Sequence, residues 1–211
     1  MEHTPFAIHW FRRDLRIEGN EAFLKQVKKF EGRVLGLFIF DQKFLKRDDF
    51  SHKRFDFFLS TLLELQKSLA DLGSDLLIGE HGPDDEFVKL LTQQLRIKPE
   101  IISYNRDYEP FARERDRRLQ SLIEELGVKV ENYRDHLIIE PHELLKDDGT
   151  FYKVYTPFSK KWKTLLQSEQ IQKRIELSDW SPKKNKKLCQ LTWKDVVQGN
   201  VPEAIKVLKK I

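Results

Sequence analysis

The apolar positions of this chain follow two alternating rhythms. Short, nearly unbroken apolar runs at residues 6–11, 34–40, 75–78, 100–104 and 128–133 have the length and density of strands covered on both faces. Between them the spacing changes to three and four. Residues 21–30 put Ala22, Phe23, Val27 and Phe30 on one helical face, and Gly32 ends that helix. Residues 51–72 form a longer amphipathic stretch with Phe55, Phe58, Leu59, Leu62, Leu65, Leu69 and Leu72 on one stripe, closed by Gly73. Residues 83–95 open with Pro83 and two aspartates, which suit the first turn of a helix. Residues 112–126 are a further helix, stopped by Gly127. Strict alternation of strand and helix predicts an α/β fold, a Rossmann-like, doubly wound, five-stranded parallel sheet of order 3-2-1-4-5 with right-handed crossovers.

After Asp135 the pattern changes. Residues 136–145 are a short apolar stretch followed by the turn Asp147-Asp148-Gly149, and Thr156-Pro157-Phe158 opens another helix. Residues 181–187 are polar and lysine-rich and read as a linker, and residues 192–211 read as the beginning of more structure. The expected organisation is an α/β domain at 1–135, a C-terminal extension and linker at 136–190, and a helical lead-in at 191–211.

In a doubly wound sheet, ligands sit beyond the carboxyl ends of the strands, where the strand order reverses. Order 3-2-1-4-5 places that point between the first and fourth strands. Their ends carry Trp10-Phe11-Arg12-Arg13-Asp14-Leu15-Arg16 and Asn105-Arg106-Asp107-Tyr108-Glu109-Pro110. An aromatic pair that hands over to three arginines and an aspartate is a natural lip for something flat and anionic. Trp10 and Phe11 are adjacent on a strand and point to opposite faces. Arg12, nearest the strand end, is the candidate for a ligand or interdomain contact, whereas Asp14 and Arg16 are expected to fix the first turn. Pro110 keeps Glu109 out of a helix, so residues 105–110 form a loop. The first strand-to-helix turn has no G-x-G-x-x-G, which leaves a dinucleotide fingerprint unsupported. At the end of the second strand stand Phe40, Asp41 and Phe44. Arg54 opens the long helix, whose N-terminus favours anions.

Composition then removes several classes. There is one cysteine among 211 residues, so no disulfide forms within the chain, and a reducing, cytoplasmic setting is expected. No apolar run reaches the length of a membrane span, and the N-terminus lacks a signal-peptide pattern. The six histidines show no ligand spacing, so no metal is expected, and no Ser-His-Asp or Cys-His constellation offers a catalytic residue. A net charge of +4 supplies few phosphate contacts, so weak or no DNA binding is expected of this chain by itself. Fifteen phenylalanines beside 34% charged residues point to rings that line a site as well as rings that fill a core.

Four segments together resemble the photolyase and cryptochrome family, in its order and spacing and across essentially the whole chain. They are Trp10 to Arg16 with Asn20, Ser51 to Arg54, Asn105 to Pro110 with Arg115-Asp116, and Tyr155-Thr156-Pro157-Phe158 with Trp162. The resemblance implies a light-driven flavoprotein of two domains. One is an α/β domain that can hold a light-harvesting antenna chromophore. The other is helical, binds FAD and takes a pyrimidine dimer flipped out of damaged DNA. On this reading the chain carries the first domain, the linker and the approach to the second. FAD and damaged DNA would belong to a helical domain outside these residues, and the chain alone would not be catalytic.

The antenna residues that the resemblance implies are Trp10, Phe11, Arg12, Phe40, Asp41, Phe44, Arg54, Asn105, Asp107 and Glu109. Asp107 stands where deazaflavin-binding relatives hydrogen-bond their chromophore, and Asn105 and Glu109 shape the loop. Folate-binding relatives carry an Asn-Glu pair where this chain has Phe111 and Ala112, so a deazaflavin or FMN is expected in preference to folate, with no antenna at all as the remaining alternative. The expected function is the light-harvesting domain of a deoxyribodipyrimidine photolyase, a carbon–carbon lyase. The alternatives are a cryptochrome-type blue-light signalling protein and a stand-alone nucleotide-binding α/β module.

Overall fold

Phe6, Ile8 and Trp10 turn to one side of their strand, and Ala7, His9 and Phe11 to the other; all six are buried. That period of two, with no polar face, is what a central strand between two layers of helices requires. The computed structural model describes residues 4–40, 48, 50–177 and 191–199. Its strands are β1 (Ala7–Phe11), β2 (Val34–Ile39), β3 (Leu76–Gly79), β4 (Ile101–Asn105) and β5 (Lys129–Tyr133). All pair in parallel, in the order β3-β2-β1-β4-β5. The fold class and strand order expected from the pattern are those observed, and the order reverses between β1 and β4.

Helices α1 (Glu21–Lys29) and α2 (His52–Asp71) cover one face. There Phe23, Val27, Phe55, Leu62, Leu65 and Leu69 meet Phe11, Phe38 and Phe40. Gly36 lets α2 come close, because a Cβ at that position would stand 2.7 Å from Leu69 Cδ1. Helices α3 (Pro83–Lys89) and α4 (Pro110–Glu125) cover the other face with Phe87, Leu119 and Ile123 against Ile8, Trp10, Leu37 and Tyr104.

Three boundaries differ from the pattern for identifiable reasons. Helix α4 begins at Pro110, two residues before its first buried apolar residue, because proline already holds the helical φ and lacks only an N–H that the first turn leaves unbonded. The α-helical part of the 83–95 stretch stops at Lys89, and Leu90–Gln94 widen into a π turn. Leu90 and Leu91 remain in the core through that turn, and Leu95 is left extended, where it bridges Val197. The third difference is at the far end of the chain. Residues 191–199 return to the α/β core, with Trp193 fully buried and its Nε1 donating to Gly36 O at 2.9 Å.

Beyond β5 the extension contributes α5 (Tyr155–Leu166) and α6 (Glu169–Leu177), with a small core of Ile139, Leu144 and Ile171 against Trp162, Leu165 and Leu166. A buried carboxylate fastens it to the sheet. Glu140 takes the Tyr108 hydroxyl at 2.5 Å and lies 3.0 Å from Arg106 Nε and 3.9 Å from Arg134. Burial, and then donation to Glu140, raise the Tyr108 pKa and keep the phenol neutral. Residues 181–187, the expected linker, lie outside the described residues, as do residues 200–211.

Candidate functional site

The two dense segments do meet at the reversal of strand order, and they meet by locking together. Asp14 is buried at the start of the β1–α1 loop. Its carboxylate accepts the Arg12 amide at 2.8 Å, Asn20 Nδ2 at 3.1 Å and Asn105 Nδ2 at 2.6 Å, with His9 Nε2 3.6 Å away. Burial alone would raise its pKa; the hydrogen bond and charge of His9, then the Arg12 and Asn105 donors, more than reverse this and hold the carboxyl below the ordinary range. Asn20 caps α1 by accepting Phe23 N at 3.1 Å, and Asn105 accepts Ala22 N at 3.2 Å. His9 Nδ1 lies 3.1 Å from Ser103 Oγ on β4. One polar cluster therefore ties β1, β4 and the first turn of α1 where a doubly wound sheet would otherwise open a crevice.

The arginines are taken up in the same way. Arg12 reaches Asp116 on α4 at 2.5 Å and the carbonyl of Asn105, and its guanidinium lies over Trp10 at 4.9 Å and Tyr104 at 4.6 Å. Arg115 covers Trp10 as well, at 5.4 Å. Burial, then the charge of Asp116, push the Tyr104 phenol up to about 12. Arg13 holds Glu109 with two bonds of 3.0 and 2.8 Å and lies 3.4 Å from Asp107, whose Oδ1 caps the loop by accepting Tyr108 N at 2.8 Å. Arg16 holds Asp135.

Of the residues expected to serve an antenna, Trp10, Phe11, Arg12, Asn105, Asp107 and Glu109 thus gather at the β1–β4 junction. There Trp10 is 3% exposed and Phe11 is fully buried. Phe40 and Arg54 lie elsewhere, at the end of β2 and in the first turn of α2, and Asp41 and Phe44 lie outside the described residues. A groove of about 520 Å³ runs beside α2, lined by Leu15, Ile17, Leu65 and Leu72 with Glu64 and Asp71 among its rim residues; it does not enter the junction.

The second group is aromatic. Phe38 and Phe40 at the carboxyl end of β2 meet the first turns of α2. Phe40 lies 5.8 Å from Phe55 and 6.4 Å from Phe58; Phe38 lies 5.5 Å from Phe58; Phe50 lies 5.5 Å from Phe55. Phe55 and Phe58 stack at 6.0 Å with 22° between their planes. Phe40 and Phe55 are buried, whereas Phe50 and Phe58 are half-buried against the same cluster. Beside them begins the 20-residue α2, whose N-cap Ser51 makes no side-chain capping bond, with exposed His52, Lys53 and Arg54 in its first turn. No periodicity marks Phe50 in the sequence. Phe55 and Phe58 belong by spacing to the apolar stripe of α2, and only their place after a strand ending in Phe40 signals a second role.

Half-buried ring faces beside a basic helix N-terminus fit a flat aromatic group with an anionic tail. The first strand-to-helix turn does not fit the pyrophosphate of FAD, because the Asp14, Asn20 and Asn105 side chains fill it. Among the described residues no group of three or more His, Cys, Asp or Glu is placed to hold a metal, and no helix is long and apolar enough to cross a membrane.

The sequence model of DNA photolyase matches residues 7–176, most of the chain and all five strands. The chain belongs to the DNA photolyase family. It is 31% identical to the deoxyribodipyrimidine photo-lyase of a Synechococcus strain over 175 residues, 83% of this chain and 35% of that protein. Among solved structures it is similar to the class III photolyase of Agrobacterium tumefaciens, with a TM-score of 0.67 and 26% identity over 80% of this chain and 33% of that one. It is also similar to the Sulfolobus tokodaii photolyase, solved with two FAD molecules and described as implying a novel light-harvesting cofactor. That match has a TM-score of 0.60 and 28% identity over 74% of this chain and 34% of that one. The chain thus spans about a third of the length of these relatives, and its α/β fold is that of photolyase N-terminal domains. The family binds FAD and antenna chromophores.

Proposed function

We propose that this α/β domain harvests light for a deoxyribodipyrimidine photolyase, working with a helical FAD-binding domain that carries the DNA chemistry. The observation that supports this most directly is the Phe38–Phe40–Phe50–Phe55–Phe58 cluster beside the basic first turn of α2. When bound there, a flavin-type chromophore would supply absorption of near-UV or blue light. Phe58 and Phe50 would stack the ring, contributing about 0.5–1.5 kcal/mol per pair beyond area burial. Arg54 and the α2 amides would hold an anionic tail. The Sulfolobus relative with its second FAD favours a flavin. Folate is disfavoured by the 76% exposed Phe111 and the buried Ala112 in place of an Asn-Glu pair. Asp107 and Glu109 act here as loop residues paired with Arg13, and the Arg12 guanidinium acts through Trp10, Tyr104 and Asp116 to hold the strand ends in register.

Titration of the purified chain with FMN, a 5-deazaflavin and a reduced folate tests this. Quenched flavin or deazaflavin fluorescence and a raised Tm are expected, with no response to folate. Arg54→Ala should weaken FMN binding at least about tenfold, or ~1.4 kcal/mol, and leave riboflavin unchanged, whereas Phe58→Ala should weaken both. No change in fluorescence or Tm with any of the three would overturn the antenna reading.

A further inference from the structure

The groove beside α2 shares no lining residue with the aromatic cluster, and the function proposed above makes no use of it. Its volume of about 520 Å³ is in the range of small-molecule sites. One wall is the loop after β1, residues 15–18; the other is the second half of α2. The floor is aliphatic, with Ile17, Leu65 and Leu72 buried and Leu15 half-buried beside them. The rim is acidic, on a chain whose net charge is +4. Glu64 and Asp71 stand exposed on α2, and Glu18 stands exposed on the loop. At about 1.5 Å per residue, Glu64 and Asp71 are about 10.5 Å apart along the helix, and two turns bring them to the same side. Ser68 lines the groove between them. Ser60 and Thr61 donate their hydroxyls to helix carbonyls at 2.9 Å, whereas Ser68 makes no such bond. Among the described residues no cation takes up either α2 carboxylate. Arg16 is held by Asp135 at 3.0 and 2.5 Å, and Lys67, although a helix neighbour of both, pairs with neither.

We propose that this groove binds a linear aliphatic polyamine of the length of spermidine. Charge complementarity chooses this occupant. Ammonium ends about two helix turns apart would meet Glu64 and Asp71, in charge-assisted hydrogen bonds. The methylenes between them would lie on the aliphatic floor, as the stems of cationic side chains do on apolar surface. The middle amine would donate to the Ser68 hydroxyl, with Glu18 opposite adding negative charge. A single metal ion cannot span the two α2 carboxylates and leaves the floor unused. An apolar partner helix needs open side chains to grip, and Leu65, Ile17 and Leu72 are only 3, 5 and 9% exposed, which suits a chain one methylene wide. The proposal does not depend on the antenna reading.

Calorimetric titration of the full chain at constant ionic strength tests this, with spermidine, 1,8-diaminooctane, putrescine and magnesium ion as probes. Spermidine and 1,8-diaminooctane, which have the same length, should bind and shift the amide NMR signals of residues 15–18 and 61–72. Putrescine is too short to reach both carboxylates and should bind at least about fivefold more weakly, the worth of one exposed ion pair. Magnesium should not compete at equal concentration. The double variant Glu64→Gln, Asp71→Asn should bind spermidine at least about tenfold more weakly while keeping the Tm and flavin titration of the unsubstituted chain. Asp56→Asn removes an exposed carboxylate of the same helix outside the groove and should change nothing. No binding of spermidine overturns the proposal. Equal affinity for putrescine or magnesium, or equal binding by the double variant, reduces the effect to general counter-ion attraction and overturns it too. So does capture of a lysine-rich peptide that spermidine fails to displace.

Discussion

Asp14→Ala is expected to lower the free energy of unfolding by about 3–5 kcal/mol at neutral pH, a large part of the total for a domain of this size. The substitution removes the acceptor that Arg12 N, Asn20 and Asn105 share, and it strands those donors in a site with no room for bulk water. Asp14→Asn keeps the shape but offers an amide to donors that need an acceptor, so it should recover only part of the loss. The pH dependence follows from the depressed pKa of the carboxyl. A depressed carboxyl contributes its full stability above the unfolded-state pKa, near 3.9, and loses it as pH falls further toward the folded-state value. Urea unfolding of the unsubstituted chain should therefore weaken below about pH 4, by up to ~1.4 kcal/mol per pH unit from this one group. The alanine variant should lose less stability over the same range. Equal slopes, or a loss under about 1 kcal/mol at pH 7, would show that the cluster does not hold β1 to β4.

That cluster also marks how far the sequence is legible. The strands were readable because both faces of β1 and β2 are buried, which leaves runs with no polar face. The pairing of Trp10–Arg16 with Asn105–Glu109 followed from strand order alone. The use of each side chain did not. Whether Arg12 faces a ligand or an internal carboxylate is decided by Asp116, 104 residues away and nearly two helix turns into α4. The same holds for Glu140, an ordinary surface residue by pattern, which becomes 3% exposed because Arg106, Tyr108 and Arg134 converge on it from the sheet. Phe40 is marked by its position at a strand end, whereas Phe50 stands in a polar stretch where no periodicity marks it.

The deepest departure from the pattern is Trp193, and it carries the second large expectation. Trp193→Ala should cost about 3–5 kcal/mol, the range for emptying a buried aromatic site. A segment that reads as lead-in to something else is bound into the α/β core by more than this side chain. Arg96 N donates to Val196 O at 2.9 Å, Arg96 Nη2 to Asp195 O at 2.8 Å, and Gln198 N to Gln94 O at 2.6 Å. These partners come from the end of the π turn and the residues after it, so the widened turn and residues 191–199 form one unit. Without the indole, that unit loses its anchor against β2, and Gly36 O loses its side-chain donor. Trp193→Phe isolates the hydrogen bond; it keeps most of the apolar volume and should cost about 0.5–1.5 kcal/mol, because Gly36 still pairs with β3 in the sheet. Urea midpoints give the magnitudes, and hydrogen exchange gives the place. In the alanine variant the amides of Arg96, Val196, Val197 and Gln198 should lose protection before those of β1 and β4. If instead the chain keeps its stability to within about 1 kcal/mol, residues 191–199 are an appendage, and the α/β domain is complete without them.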